Sequence, residues 1–303
     1  MRTLCFQTWL LLFFMTLSCN PVEVEVKDSV SAFRDSKTLI GKGDFVSWKD
    51  GLACQGCAIY NGIIYETRHS GFCDLYELKG EKISYKTTIR FKSGSDDNHF
   101  NCVQFDSMHS DDEAPILYIS SHKRKTPCFV ERIVDNDTQL LQSIYVEDME
   151  EVPSQMYFNL VPGDDDDLWM CGFFDTTLRI IRMRRPLLSH REYTLSKDDI
   201  LDMWDRENYV WEEEVLQGMK YYNNRLYVAY GGGTGRRGVW IWDTATHTLL
   251  HNIDLTDITK TEFEDVEISN NYLYIFVLAD YILRFDLNCL SLEKKFIYDI
   301  QCQ

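Results

Sequence analysis

Short runs of β-branched and aromatic residues recur along the chain between Asn, Asp and Gly turn signals: "GIIYET", "ILYISS", "RLYVAY", "VWIWD", "YLYIFV" and "YILRFDL". Runs of this length and composition predict strands and leave little room for helices. Four segments fall into one register when aligned on the aromatic of their second strand, Tyr65, Trp169, Tyr227 or Tyr274. Ten residues upstream of each stand Gln55, Asn159, Gln217 and Glu264. A fifth unit, "FNCVQFDSMHSDDEAPILYIS", puts Asn101 in the same column once its longer turn is allowed for. The five column residues are separated by 46, 58, 58 and 47 positions, a spacing that suits one propeller blade per unit.

Each unit reads as strand, tight turn, strand, loop, third strand, with turns such as "YNG", "YNN" and "SNN". Four-stranded sheets repeated radially avoid exposed sheet edges. The expected fold is therefore all-β, a five-bladed β-propeller over residues 35–303, with six blades as the alternative count. The ring would close by pairing either "TLIGKGDFVSW" or the C-terminal "KKFIYDI" into a shared blade.

The register explains the one Cys-x-x-Cys. Cys54 shares a column with Phe100, Phe158, Leu216 and Phe263; Cys57 shares one with Val103, Val161, Met219 and Val266. Both columns are apolar, and a structural zinc needs four ligands at knuckle spacing, which the chain lacks. The domain's other cysteines, Cys73, Cys102, Cys128, Cys171, Cys289 and Cys302, read as buried thiols; disulfides are permitted in an exported chain and not required at this size.

The column of Gln55, Asn101, Asn159, Gln217 and Glu264 should form a polar ring at the mouth of the central channel. Such side chains can stitch neighbouring blades together, hold a polar ligand, or offer oxygen ligands to a Ca²⁺ ion on the axis. The loops that should surround the mouth carry Arg68, His69, His122, Lys123, Arg124, Lys125, Arg236 and Arg237. Guanidinium groups recognise carboxylate, sulfate or phosphate, so the mouth is expected to attract an anion.

Charge and the N-terminus place these features. With a net charge of -17 the protein repels nucleic acid and anionic lipid. Residues 1–18, "MRTLCFQTWLLLFFMTLS", read as a signal peptide, and "TLSC" resembles the lipobox of bacterial lipoproteins, in which the equivalent of Cys19 is acylated. Residues 19–34 then read as a tether. The expected location is the bacterial cell envelope, with the membrane reached through the lipid anchor only, or export without an anchor.

Other motifs carry less. The spacing of "GDDDDLW" does not supply the Gly and Glu of an EF-hand loop, and "GGGTGRRG" lacks phosphate-loop spacing. "SKDDILDMWDRENYVWEEEV" predicts a short helix capped by Ser196, from which Trp204, Tyr209 and Trp211 could overhang the mouth.

Two family resemblances follow from these residues. The first blade, "QGCAIYNGIIYETRHSGFCDLYEL", resembles the opening blade of the five-bladed glutaminyl cyclases at Gln55, Gly56, Tyr65, Glu66, Thr67 and Gly71. That likeness implies Glu66 as a proton shuttle for cyclising an N-terminal glutamine. The signal with its late Cys, "HFNCVQF", "LQGMKYYNNRLYVAYG" and "FEDVEISNNYLYIF" resemble a family of secreted or lipid-anchored propellers of gut Bacteroidales, which implies a fold and an envelope location. The function expected is binding of a polar or anionic small molecule or glycan at the mouth. Glutaminyl-cyclase-like aminoacyl transfer and protein docking are the alternatives.

Overall fold

The computed structural model describes residues 29–45, 54–68, 71–94, 100–106, 115–121, 126–164, 166–206, 213–233, 235–278 and 281–290. They open with helix α1 (Ser29–Asp35) and strand β1 (Thr38–Ile40). Twenty further strands follow in five sheets, antiparallel but for one added strand. The first blade is β2 (Cys54–Tyr60), β3 (Ile63–Arg68), β4 (Phe72–Lys79) and β5 (Lys82–Arg90). The second is β6 (Phe100–Phe105), β7 (Ile116–Ser121), β8 (Cys128–Val134) and β9 (Asp137–Val146). The third is β10 (Tyr157–Pro162), β11 (Asp167–Phe174) and β12 (Thr177–Arg184), then, after the short strand β13 (Glu192–Leu195), β14 (Ile200–Arg206). The fourth is β15 (Leu216–Tyr222), β16 (Arg225–Tyr230), β17 (Gly238–Asp243) and β18 (Thr248–Asp254). The fifth is β19 (Phe263–Ser269), β20 (Tyr272–Val277) and β21 (Tyr281–Asp286). This is a five-bladed β-propeller, with β2, β6, β10, β15 and β19 innermost.

Turn chemistry sets the register. Asn61 and Gly62, Asn223 and Asn224, and Asn270 and Asn271 all have positive φ, the requirement of a two-residue type I′ hairpin, and each pair joins the first two strands of a blade. Alternation along those strands then sends apolar side chains to both neighbouring blades. Ile64 and Cys57 pack toward the fifth blade with Tyr274 and Phe276, whereas Tyr65 and Ala58 pack toward the second with Phe105 and Leu117.

The N-terminal segment closes the ring. β1 lies antiparallel on β21, Thr38 opposite Arg284 and Ile40 opposite Ile282, as the fourth strand of the fifth blade. Residues 29–34, expected as tether, belong to α1, whose Phe33 is fully buried and stacks on Phe285 with ring centroids 4.8 Å apart. Residues 1–28 and 291–303, with Cys19 and "KKFIYDI", lie outside the described residues.

Two elements depart from the sequence reading. The helix expected after Ser196 is one 3₁₀ turn, Lys197–Asp199, with its Ser196/Asp199 capping box in place, and the chain continues as strand β14. Period-2 alternation governs there: Ile200, Asp202, Trp204 and Arg206 are partly covered while Leu201 and Met203 are exposed. Trp204 therefore sits on an outer strand away from the mouth, against Trp169; Tyr209 and Trp211 lie outside the described residues. The second departure is β13, which leaves the third blade and adds to β9 in parallel as a fifth strand of the second blade. The crossover is pinned by Arg185, which pairs with buried Asp106 at 2.7 Å and donates to the carbonyls of Gly163 and Asp167.

The cysteines behave as packing residues. Cys57, Cys73, Cys102, Cys128 and Cys171 are buried free thiols, and burial pushes Cys128 up to about 12. The side chain of Cys54 is outside the described set.

Candidate functional site

The polar column sits at the start of the innermost strands, all five side chains almost fully buried: Gln55, Asn101, Asn159, Gln217 and Glu264. The same end of each blade carries the loops between second and third strands, because β2 begins opposite the end of β3, Cys54 against Arg68. Part of the ring is stitched. The Asn159 amide donates to the Gln217 carbonyl, and Gln217 Nε2 donates to Glu262 Oε1 at 2.9 Å and to the Gly231 carbonyl at 3.4 Å. Other acceptors remain: Asn101 Oδ1 and Asn159 Oδ1 are buried without a hydrogen-bond partner.

One step further along each inner strand stand Gly56, Cys102, Leu160, Gly218 and Asp265, and here the axis is spanned by direct bonds. Asp265 Oδ2 accepts the backbone N–H groups of Cys57 at 3.0 Å and Val103 at 3.1 Å, from the first and second blades, while Oδ1 accepts that of Val266 at 2.8 Å. Cys102 Sγ lies 3.4 Å from both the N–H and the carbonyl of Met219, joining the second blade to the fourth. Gly218 makes the arrangement fit: a Cβ there would stand 1.7 Å from Asp265 Oδ1. Deeper still, Glu267 takes the Lys220 ammonium at 2.9 Å and the Ile59 N–H at 3.4 Å. Sequence reasoning passed over Asp265. Its signal was an acid in a column otherwise of Gly, Cys, Leu and Gly.

Three carboxyl groups, Glu264, Glu262 and Asp265, gather at this point of the ring. Burial raises the Glu264 carboxyl well above the ordinary value, and the charges of Glu262 and Asp265 raise it further. Glu262 is also raised by burial, against the pull of the Gln217 amide and Arg237. Burial raises Asp265 too, opposed by its three N–H donors. Among the described residues no group of three or more His, Cys, Asp or Glu is arranged to hold a metal ion.

The structure sets the described arginines of the mouth loops into the scaffold. Arg68 is buried against Asp74, which is wholly inaccessible. Arg237, only 3% exposed, donates to the carbonyls of Thr261, Gly235 and Gly233 and so holds the "GGGTGRRG" loop closed. Arg236 is half-exposed and pairs with Glu214 at 2.6 Å. His69 and residues 122–125 lie outside the described residues. Glu66 is 1% exposed on β3, opposite Cys57 of the inner strand, on the strand face that Ile64 directs toward the fifth blade.

No family model and no curated protein matches the chain. Among solved structures, a glutaminyl cyclase from Myxococcus xanthus is similar at 13% identity and a TM-score of 0.46, covering 77% of this chain and 90% of that one. A protein from Lactobacillus plantarum is similar at 13% identity and a TM-score of 0.40, covering 73% of this chain and 63% of the other. These values say nothing of activity.

Proposed function

We propose that the mouth of the propeller binds a small polar ligand, a small molecule or a glycan end, through hydrogen-bond donors that the ligand supplies. The observation that carries this reading is the surplus of buried acceptors: unpartnered Asn101 Oδ1 and Asn159 Oδ1 in one ring with Glu264, beside Glu262. An ammonium, amide or hydroxyl group would complement them. An anion would depend on His69 and residues 122–125, since Arg68, Arg236 and Arg237 are already engaged by the protein. Thermal-shift titration with putrescine, sorbitol and a sulfated disaccharide tests it. The first two should stabilise the wild type and lose that effect in Glu264→Gln; stabilisation by the sulfated sugar alone would reverse the reading.

A second reading is aminoacyl transfer of the glutaminyl-cyclase type at Glu66, favoured by the burial of that carboxyl on the strand paired with the inner strand. It requires ammonia release from Gln-initiated peptides by the wild type and none by Glu66→Gln. We also propose a bacterial envelope location through residues 1–18 and acylation of Cys19. Cys19→Ala should then move the protein from the membrane to the soluble fraction.

A further inference from the structure

Each blade ends in an outer strand beyond which no further strand lies among the described residues: β5, β13, β14, β18 and β1. Such edges present backbone donors and acceptors to any passing chain and are ordinarily blunted by lysines, by shortness or by polar side chains. Four of the five are blunted in this way. β5 sets exposed Lys82, Lys86 and Arg90 around exposed Tyr85; β1 and β13 are three and four residues long. β18 exposes Thr248, Asn252 and Asp254 and no large apolar side chain.

β14 differs. It runs for seven residues, "ILDMWDR", without Lys or Pro, and its covered and exposed positions alternate without interruption. Leu201 is 46% exposed and Met203 37%. They share a strand face with Asp205, and Met203 stands opposite Ile181, so this face looks toward the second blade.

An acidic segment is tied alongside. Arg179 on β12 binds both Asp205 oxygens at 2.7 Å and donates to the carbonyls of Glu150 at 3.4 Å and Glu151 at 2.8 Å. The Glu151 carboxylate pairs with Lys197, just ahead of β14. Residues 147–151 and residues 197–205 contain four acids each, and Lys197 is the one base in the two segments. The apolar pair on the edge therefore lies in negative surroundings, which favour a basic partner. A second copy, itself carrying a net charge of -17, would be repelled. A fifth strand is compatible with a blade of this ring, since β13 already adds one to β9.

We infer that the free edge of β14 is a docking site for an extended, basic segment of a partner protein, which adds to the third blade as a fifth strand. Its apolar side chains fall on Leu201 and Met203, and its Lys or Arg side chains meet the acids around them. The site lies on the outer rim and does not depend on the reading of the mouth.

Fluorescence anisotropy of the labelled peptide Lys-Val-Lys-Ile-Lys-Val-Lys, titrated with the protein, tests this. Binding should saturate. Leu201→Lys and Met203→Lys should each weaken it about tenfold and leave the melting temperature unchanged, because both side chains are exposed. Leu39→Lys, on the edge of the fifth blade, should leave binding unchanged. Of two peptides N-methylated at alternate residues, one should bind and the other should not, because only one set of its N–H groups can face β14. Absence of saturable binding overturns the inference, as does equal binding by the two methylated peptides. Binding that Met203→Lys leaves untouched also overturns it, since charge attraction alone would give that result. Sedimentation that finds a dimer dissolved by Met203→Lys would assign the edge to a second copy and overturn it as well.

Discussion

The Asp265 carboxylate accepts the backbone N–H of Val103 at 3.1 Å and so ties the fifth blade to the second, across the ring rather than to an adjacent blade. With the Cys57 and Val266 donors it forms a hub on which three separate strand positions depend. Asp265→Ala strands three buried N–H groups, each costing about 1–3 kcal/mol. The variant should lose several kcal/mol in urea unfolding. Asp265→Asn keeps one acceptor oxygen and should lose less. Gly218→Ala, which drives a methyl into the same carboxylate, should match the alanine variant.

Glu264 makes stability fall with rising pH. Its carboxyl in the folded protein titrates above the ordinary 4.5, so the protonated form favours folding. That contribution is complete below the ordinary value and is lost as pH rises through the folded value. Melting temperatures of wild type and Glu264→Gln should therefore coincide in acid and diverge toward neutrality, with the variant the more stable. A gap that closes as pH rises would overturn this assignment.

Arg185 should be costly to remove. Truncation to Met leaves Asp106 charged and inaccessible, a situation worth about 3–5 kcal/mol, and unpins the crossover to β13. Chemical denaturation measures it directly, and faster hydrogen exchange in β13 and β9 should accompany the loss.

Adjacent arginines should part company. Arg236→Ala withdraws a half-exposed guanidinium from the buried Glu214 carboxylate, which keeps Arg206 at 3.3 Å, and should cost only about 1 kcal/mol. Arg237→Ala abandons three loop carbonyls and should cost about 3 kcal/mol. Equal losses from the two would contradict the loop-locking role.

The five blades were legible because residues that need positive φ punctuate them and because one polar column recurs in register. Asn61-Gly62, Asn223-Asn224 and Asn270-Asn271 each occupy the turn their chemistry prescribes. Closure through "TLI" was readable only as one of two options, since three residues opposite β21 carry no local signature of their partner. β13 escaped notice for a similar reason: four residues that add in parallel to another blade's edge look like loop in sequence. The mouth loops were misleading in a different way. A run of arginines shows charge, and the sequence does not show that Asp74, Glu214 and a set of carbonyls already take up Arg68, Arg236 and Arg237. Asp265 needed three dimensions, because its donors come from strands 162 and 208 residues away.

The strand that closes the ring pairs with a partner 246 residues later in the chain. β1 therefore gains its partner only through a contact that spans nearly the whole ring, a costly closure. Until β21 is in place the fifth blade lacks the strand on which β1 pairs. Circular permutation that makes β1 contiguous with β21 should shorten that interval, and faster refolding of the permutant would reveal closure as the slow step.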